Sequence, residues 1–198
     1  MIRKPSIRFS AILFLCSALF FTPALQTILS AESSKPILAD VQTGTVTLKR
    51  IGRMSFAPNG VLLIADIGSG AVVAIETGDT GPVKKLKSRV NDVDKKIATA
   101  LGVSTADLSI ADMAVNPESG MIYVSAIRKT DNTSAIITFD ANGKLTILDL
   151  TAIRFVRVPL PVGEGSQIRN ISGVEYTDGR VLAAGQSNEE FSSKIFSL

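Results

Sequence analysis

Four side chains in this sequence carry oxygen atoms of the kind that bind a hard cation, and each falls in a loop or near the end of a predicted strand. They are Asp66, Asp112, Asn116 and Glu175. Carboxylate and amide oxygens are the ligands that Ca²⁺ prefers in proteins. The four residues are far apart in the sequence, so they could bind one ion only if the fold brings their strands together. The sequence therefore predicts a candidate metal site assembled from separate structural units.

Other kinds of catalytic chemistry are poorly supplied. The chain has no histidine and a single cysteine, Cys16, near its N-terminus. Ser-His-Asp and Cys-His mechanisms are therefore excluded, and so is the commonest ligand of zinc. The sequence also contains neither GxxxxGK nor GxGxxG, the glycine-rich patterns that bind phosphates. We predict no resident cofactor, with Ca²⁺ as the alternative.

Three glycine turns recur about 60 residues apart, each between two apolar stretches: Asn59-Gly60, Ser119-Gly120 and Asp178-Gly179. Asn-Gly and Asp-Gly favour a tight β-hairpin, because the turn requires positive φ and glycine adopts it without steric cost. A fixed period of this length is typical of repeat proteins, whose units stack because none can bury its apolar faces alone. We predict that the chain contains three copies of one unit.

Each unit is predicted to be a small antiparallel sheet. The stretch Val61–Ala65 is apolar at every position, which is typical of a strand covered on both faces. In the second copy, a further turn at Asn142-Gly143 leads into a fourth strand. We therefore expect about three four-stranded units, near residues 45–80, 108–150 and 153–198.

The segment between the first two units has the pattern of a short helix. Residues 90–102 place apolar side chains at helical spacing, with Asn91 or Asp92 as the N-cap and Gly102 as the stop. We expect this inserted helix to pack across the outside or top of the units.

The first two units share a recognisable pattern of residues. It is carried in the first unit by Phe56, Pro58, Asn59, Gly60, Ala65, Asp66 and Gly68, and in the second by Asp112, Met113, Ala114, Val115, Pro117, Gly120, Tyr123 and Val124. The pattern resembles the blades of NHL, YVTN and gluconolactonase-like β-propellers. The resemblance covers roughly residues 45–198 and implies an all-β fold, a partial propeller of about three blades. In gluconolactonase-like propellers acidic and asparagine side chains from different blades hold a calcium ion near the axis, which would be the role of the four candidate ligands.

The N-terminus has the layout of a secretory signal peptide. Basic residues are followed by the apolar core 11–21 and then by small residues. We predict a helical signal peptide over residues 1–31, cleaved after Ala24 or Ala31, with an uncleaved anchor reaching Leu29 as the alternative. The apolar core is too short to span a bilayer comfortably. The mature protein would therefore be exported to the periplasm or the extracellular space, without a stable membrane span.

Removal of the signal peptide changes the charge of the chain. The whole sequence has 21 basic and 18 acidic residues, and three of the basic ones, Arg3, Lys4 and Arg8, lie in the signal. The mature chain would then have 18 of each, so its net charge gives no reason to expect a nucleic-acid partner. Cys16 also leaves with the signal, and the mature protein would have no disulfide.

The domain predicted for residues 32–198 holds fewer blades than a closed propeller, which needs at least about four. We expect either a truncated relative of a longer propeller or a homodimer that closes a ring. The predicted function is a binding or interaction scaffold of the cell envelope, with an unknown protein or small molecule as its ligand. The alternatives are a calcium-dependent lactonase-like or hydrolase-like propeller with an incomplete site, and a non-functional truncated remnant.

Overall fold

A computed structural model of the protein describes residues 38–190 and 192–198. The predicted signal peptide, residues 1–31, lies outside the described residues. Within the described part the fold is all-β apart from one α-helix and two short 3₁₀ turns. None of the helices in this part is long and apolar enough to cross a membrane.

Twelve strands and one α-helix make up the described part of the chain. They are β1 (Gln42–Gly44), β2 (Ile51–Ala57), β3 (Val61–Asp66), β4 (Ala71–Glu76), α1 (Val93–Ala100), β5 (Leu108–Val115), β6 (Ile122–Arg128), β7 (Thr133–Phe139), β8 (Leu145–Ile147), β9 (Ile153–Pro159), β10 (Ile168–Thr177), β11 (Arg180–Ser187) and β12 (Ser193–Ser197). They form three antiparallel sheets: sheet A in the order β1-β9-β4-β3-β2, sheet B in the order β5-β6-β7-β8, and sheet C in the order β10-β11-β12.

The first two predicted units correspond to real sheets, and the third is divided. Strands β2, β3 and β4 form the hairpins expected in the first unit, and β5 to β8 form the four-stranded second unit. Strand β9 was expected to open the third unit, but it pairs with β4, with Val158 opposite Val72. It therefore covers an edge of β4 that would otherwise expose unpaired backbone groups. Sheet C is left with three strands.

Sheet A lies between the other two sheets and contributes to two apolar cores. On one face, Leu63 and Val72 belong to a core shared with Val174 and Phe196 of sheet C. On the other face, neighbouring residues such as Ile64 belong to a core shared with sheet B. Every residue of β3 is buried, as predicted, because the strand is covered on both sides.

The inserted helix α1 packs on the face of sheet B that points away from sheet A. Ile97 and Ala98 are buried there against Val124 and Ile137. The helix ends before Gly102, which has a φ of +69°, as the sequence predicts. Asp92 occupies the N-cap position, although its side chain makes no capping hydrogen bond. The layers of the domain are thus α1, sheet B, sheet A and sheet C.

Three sheet edges meet in this arrangement. Strand β2 is the edge of sheet A, and it packs against β5, the edge of sheet B, and against β10, the edge of sheet C. Side chains that are far apart in the sequence therefore face one another along β2.

Candidate functional site

The three edge strands carry β-bulges, and the bulges surround one cleft. The pairing register shifts between Ile51 and Met54 in β2, between Ile110 and Asp112 in β5, and at two places in β10. A bulge leaves one residue outside the ladder and bends the strand, and bulges are frequent next to active sites. We call the space between them the convergence cleft. It has a volume of about 280 Å³ and is lined by Arg50, Ile51, Gly52, Arg53, Ile67, Ala111, Ile127, Asn170, Ile171 and Ser172.

Polar side chains of sheet B hold the bulged part of β2 in place. The backbone N–H of Ile51 donates to Ser134 Oγ at 3.1 Å, and the hydroxyl of Ser125 donates to the carbonyl of Gly52 at 3.0 Å. Ser125 is fully buried. Because edge strands have backbone groups without a ladder partner, these bonds satisfy groups that would otherwise be costly to bury. One wall of the cleft is therefore firmly held.

Two arginines line the cleft, and their guanidinium groups are bonded to different sheets. The Nη2 atom of Arg50 donates to the carbonyl of Arg169, next to Asn170 in sheet C, at 3.0 Å. The Nη1 atom of Arg53 lies 3.2 Å from the Oδ1 atom of Asp112 in sheet B, and the Arg53 side chain is 55% exposed. The two guanidinium groups are thus anchored on the sheet C and sheet B sides of the cleft.

Asp66, one of the predicted ligands, lies behind the cleft as a buried anion. Its Oδ1 atom accepts hydrogen bonds from the backbone N–H groups of Lys49 and Arg50, both at 3.1 Å. Its Oδ2 atom forms an ion pair with Arg157 at 2.7 Å. Burial raises the pKa of this carboxyl, but hydrogen bonds from Ser69, Arg157 and the two N–H groups outweigh it and lower the pKa below its usual value. Asp66 therefore stays ionised and holds the chain that leads into β2.

Asp112, the second predicted ligand, lies beside the cleft and orients one of its arginines. Its Oδ2 atom accepts a hydrogen bond from the backbone N–H of Met54 at 2.8 Å, and its Oδ1 atom contacts Arg53. The carboxylate is 18% exposed. It thus links β5 to β2 and holds the Arg53 guanidinium.

Asn116, the third predicted ligand, belongs to a separate cluster at the turn between β5 and β6. Its Nδ2 atom donates to the carbonyl and to the Oδ2 atom of Asp79, at 2.6 and 2.8 Å. The same Oδ2 atom accepts hydrogen bonds from the Ser119 hydroxyl at 2.6 Å and the Tyr123 hydroxyl at 3.2 Å. Burial of Tyr123, together with the nearby Asp79 charge, raises the pKa of Tyr123 to about 12. The cluster ties the segment after β4 to sheet B.

Glu175, the last predicted ligand, is exposed on β10. In the part of the chain that the structure describes, the four candidates share no hydrogen-bond partner, and Asp66, Asp112 and Asn116 each bind other protein groups. Within residues 38–190 and 192–198, no group of three or more histidine, cysteine or acidic side chains is arranged to hold a metal ion. The structure thus gives three of the predicted ligands a role in holding strands together.

The sequence contained a weak signal for the cleft. A glycine inside a strand pattern suggests a bulge, and Gly52 lies in β2 between an apolar residue and Arg53. Neither Arg50 nor Arg53 belongs to a motif, and nothing in the spacing of Asp79 or Arg157 indicated their partners. These residues could be found only from the packing of the sheets.

Comparisons with known proteins add no assignment to this site. Family models, curated proteins and solved structures give no match to the chain. The likeness to propeller blades therefore rests on the residues quoted from the sequence, and the function must be argued from the cleft.

Proposed function

We propose that the protein is an exported, propeller-type binding scaffold of the cell envelope, and that the convergence cleft is its ligand site. The observation that carries the proposal is the meeting of three bulged edge strands around one cleft. The volume of the cleft, about 280 Å³, lies near the lower end of the range for small-molecule sites, roughly 300 Å³. Hydrogen bonds with sheet B hold its β2 wall, while Arg53 remains exposed at its rim.

The propeller-type architecture is supported by the form of the sheets and the way they meet. Sheet B is a four-stranded antiparallel meander, and β2, β3, β4 and β9 make a comparable set in sheet A. Their edge strands β5 and β2 pack together, as inner strands do around a propeller axis. Sheet A, rather than sheet B, lies in the middle, because β9 returns the chain to sheet A before sheet C begins. Export is supported by the signal-like residues 1–31.

A binding role suits the chemistry of the cleft better than acid-base catalysis. The nearest buried carboxyl, Asp66, has a lowered pKa and an arginine partner, so it is a poor proton donor at neutral pH. Using it as a calcium ligand would require breaking its pair with Arg157. Asp112 likewise uses one oxygen on Met54 and the other on Arg53. The calcium-dependent alternative therefore gains no support from this geometry.

Filling the cleft tests the proposal. Ala111 lines the cleft at the β5 bulge, whereas Ala106 is exposed on a 3₁₀ turn outside it. We expect some members of a small-molecule panel to raise the thermal unfolding midpoint of the wild type and of Ala106→Phe, but not of Ala111→Phe. The proposal is wrong if no compound stabilises the wild type, or if Ala111→Phe responds as the wild type does.

We also propose a second copy of the chain as a partner. Ile195, on the outer face of sheet C, is 77% exposed, and α1 already covers much of the opposite end of the stack. A symmetric dimer through sheet C would bury this side chain twice. Light scattering should show a dimer for the mature wild type and a weaker one for Ile195→Ser. A monomer in both would contradict the pairing.

A further inference from the structure

We propose that the convergence cleft binds a small ligand that has a carboxylate or phosphate group and a compact apolar body. The positive charges of Arg50 and Arg53 attract the oxyanion from the sheet C and sheet B sides of the cleft, and the apolar body lies against its isoleucine side chains. This inference rests on the proposed function, because it names the class of ligand for the same cleft.

The charge of the lining supports an anionic ligand. Among the described residues that line the cleft, Arg50 and Arg53 are the only titratable ones. Within the described residues, Arg50 has no acidic partner within salt-bridge distance, and its one recorded side-chain bond goes to the carbonyl of Arg169. A guanidinium has five N–H donors, so most of its capacity is available to a ligand. Arg53 shares its charge with Asp112 through a single contact of 3.2 Å.

The positions of the arginines favour oxyanion binding. Each guanidinium already has one anchor, on Arg169 or on Asp112, so part of the cost of ordering a long side chain is met before the ligand arrives. A guanidinium matches a carboxylate or phosphate with two parallel hydrogen bonds, and such charge-assisted bonds are the stronger ones. The anchors lie on opposite sides of β2, in sheet C and sheet B.

The remaining surface of the cleft is suited to an apolar body. Four isoleucines line it. Ile51 and Ile171 are each only 1% exposed, so the apolar surface open to a ligand comes mainly from the partly buried Ile67 and Ile127. Ala111, at the β5 bulge, is a small side chain in the lining. A volume of about 280 Å³ accommodates a ring or a short branched chain rather than a long one. Benzoate is therefore a suitable probe.

Titration calorimetry with matched probes tests the inference. We expect benzoate to bind the wild type, and benzamide, which has the same shape without the charge, to bind at least about tenfold more weakly. Arg50→Gln and Arg53→Gln should each weaken benzoate binding about tenfold, since each removes a positive charge and its charge-assisted hydrogen bonds. Arg180→Gln, which removes an exposed arginine of sheet C outside the cleft, should leave the affinity unchanged. Inorganic phosphate, as a further probe, distinguishes a phosphate site from a carboxylate site.

The outcomes separate this inference from the proposed function. Equal affinity for benzamide and benzoate, with both lost in Ala111→Phe, would overturn the anionic ligand and leave the cleft as a binding site. Benzoate binding that survives Ala111→Phe would place the site elsewhere and overturn both proposals. No binding of benzoate or phosphate would overturn the inference, whatever the wider panel shows. Because Arg50 is exposed, we expect Arg50→Gln to fold normally, and its thermal unfolding midpoint checks this.

Discussion

Asp66, one of the four candidate metal ligands, holds the backbone that leads into β2. It is buried at the end of β3, where two N–H groups and Arg157 surround it. An amide oxygen in its place could still accept the hydrogen bonds from both N–H groups, which share the Oδ1 atom, but the neutral amide would leave Arg157 without its counter-charge. Substitution of Asp66 therefore tests whether this buried ion pair stabilises the segment before β2.

We expect Asp66→Asn to lower the free energy of unfolding by about 3 kcal/mol, because removing one partner of a buried ion pair is costly. The pKa of Asp66 is lowered in the folded state, so its contribution is complete above about pH 4 and is lost as the pH falls through the folded pKa. Urea denaturation at several acidic pH values should thus show a shallower decline for Asp66→Asn than for the wild type. Asp178→Asn, at an exposed turn, is the matched control. Equal pH slopes in Asp66→Asn and the wild type would contradict this account.

Burial of Tyr123 should make the free energy of unfolding depend on pH in the alkaline range, whereas Asp66 does so in the acidic range. Its pKa is raised from 10.0 to about 12, so the folded protein keeps the phenolic proton that the unfolded chain releases. Its contribution is present below pH 10 and is lost as the pH rises through about 12. We expect unfolding free energy to fall over this range in the wild type and to change less in Tyr123→Phe.

An absorbance titration gives an independent measure of that shift. The chain has two tyrosines, so in Tyr176→Phe the tyrosinate signal comes from Tyr123 alone. Ionisation near pH 10 in the folded variant would mean that the phenol is not buried beside Asp79.

At the scale of elements, the segment after β4 runs closely over two hairpin turns. A Cβ on Gly60 would lie 2.7 Å from the carbonyl oxygen of Asp79, and one on Gly120 would lie 2.5 Å from that of Lys84. The backbone N–H of Lys84 also donates to the carbonyl of Ser119 at 2.7 Å. Glycine is therefore required at these two positions for two reasons: the turn needs positive φ, and the neighbouring segment leaves no space for a Cβ.

Two glycine-to-alanine substitutions separate the cost of positive φ from the cost of the steric clash. Gly120 and Gly179 have nearly the same φ, +78° and +76°, but nothing lies within 4 Å of a Cβ on Gly179. We expect Gly179→Ala to cost about 1 kcal/mol for the left-handed backbone. Gly120→Ala should cost at least about 1 kcal/mol more, because the rigid carbonyl of Lys84 blocks the new methyl group. Chemical denaturation of both variants measures the difference, and equal costs would mean that the segment moves aside freely.

At the scale of the whole molecule, sheet A couples the other two sheets. Leu63 and Ile64 are adjacent in β3, and both are completely buried. Leu63 packs in the core shared with sheet C, and Ile64 in the core shared with sheet B. A truncation in the core on either face of sheet A should therefore lower the free energy of unfolding of the entire domain.

We expect Leu63→Ala and Ile64→Ala each to lose about 2–5 kcal/mol, the usual cost of such a truncation. Both variants should still unfold in a single transition. Tyrosine fluorescence can check this, because Tyr123 lies in sheet B and Tyr176 in sheet C. In the Tyr176→Phe and Tyr123→Phe backgrounds, the two sheets are followed separately. In either background, a fluorescence midpoint that differs from the circular dichroism midpoint of the same variant would show that the sheets unfold independently.

Much of the local structure could be predicted, and the site could not. The hairpins, the two-sided burial of β3 and the helix ending at Gly102 follow from short patterns. The division of residues 153–198 between two sheets was missed, because a strand pattern does not identify its pairing partner. Of the four candidate metal ligands, Asp66, Asp112 and Asn116 bind groups of other strands or segments, and the sequence did not indicate those partners.

The sequence by itself determined where the chain turns, since glycine at positive φ and the alternation of apolar residues act within a few positions. Only the tertiary structure decided which strands pair and which charges meet. Asp66 and Arg157 are 91 residues apart, and Met54 and Asp112 are 58 apart. Contacts of this kind depend on which edges and faces remain uncovered once the sheets have packed. The convergence cleft arises at that stage, where three bulged edges from distant parts of the chain come together.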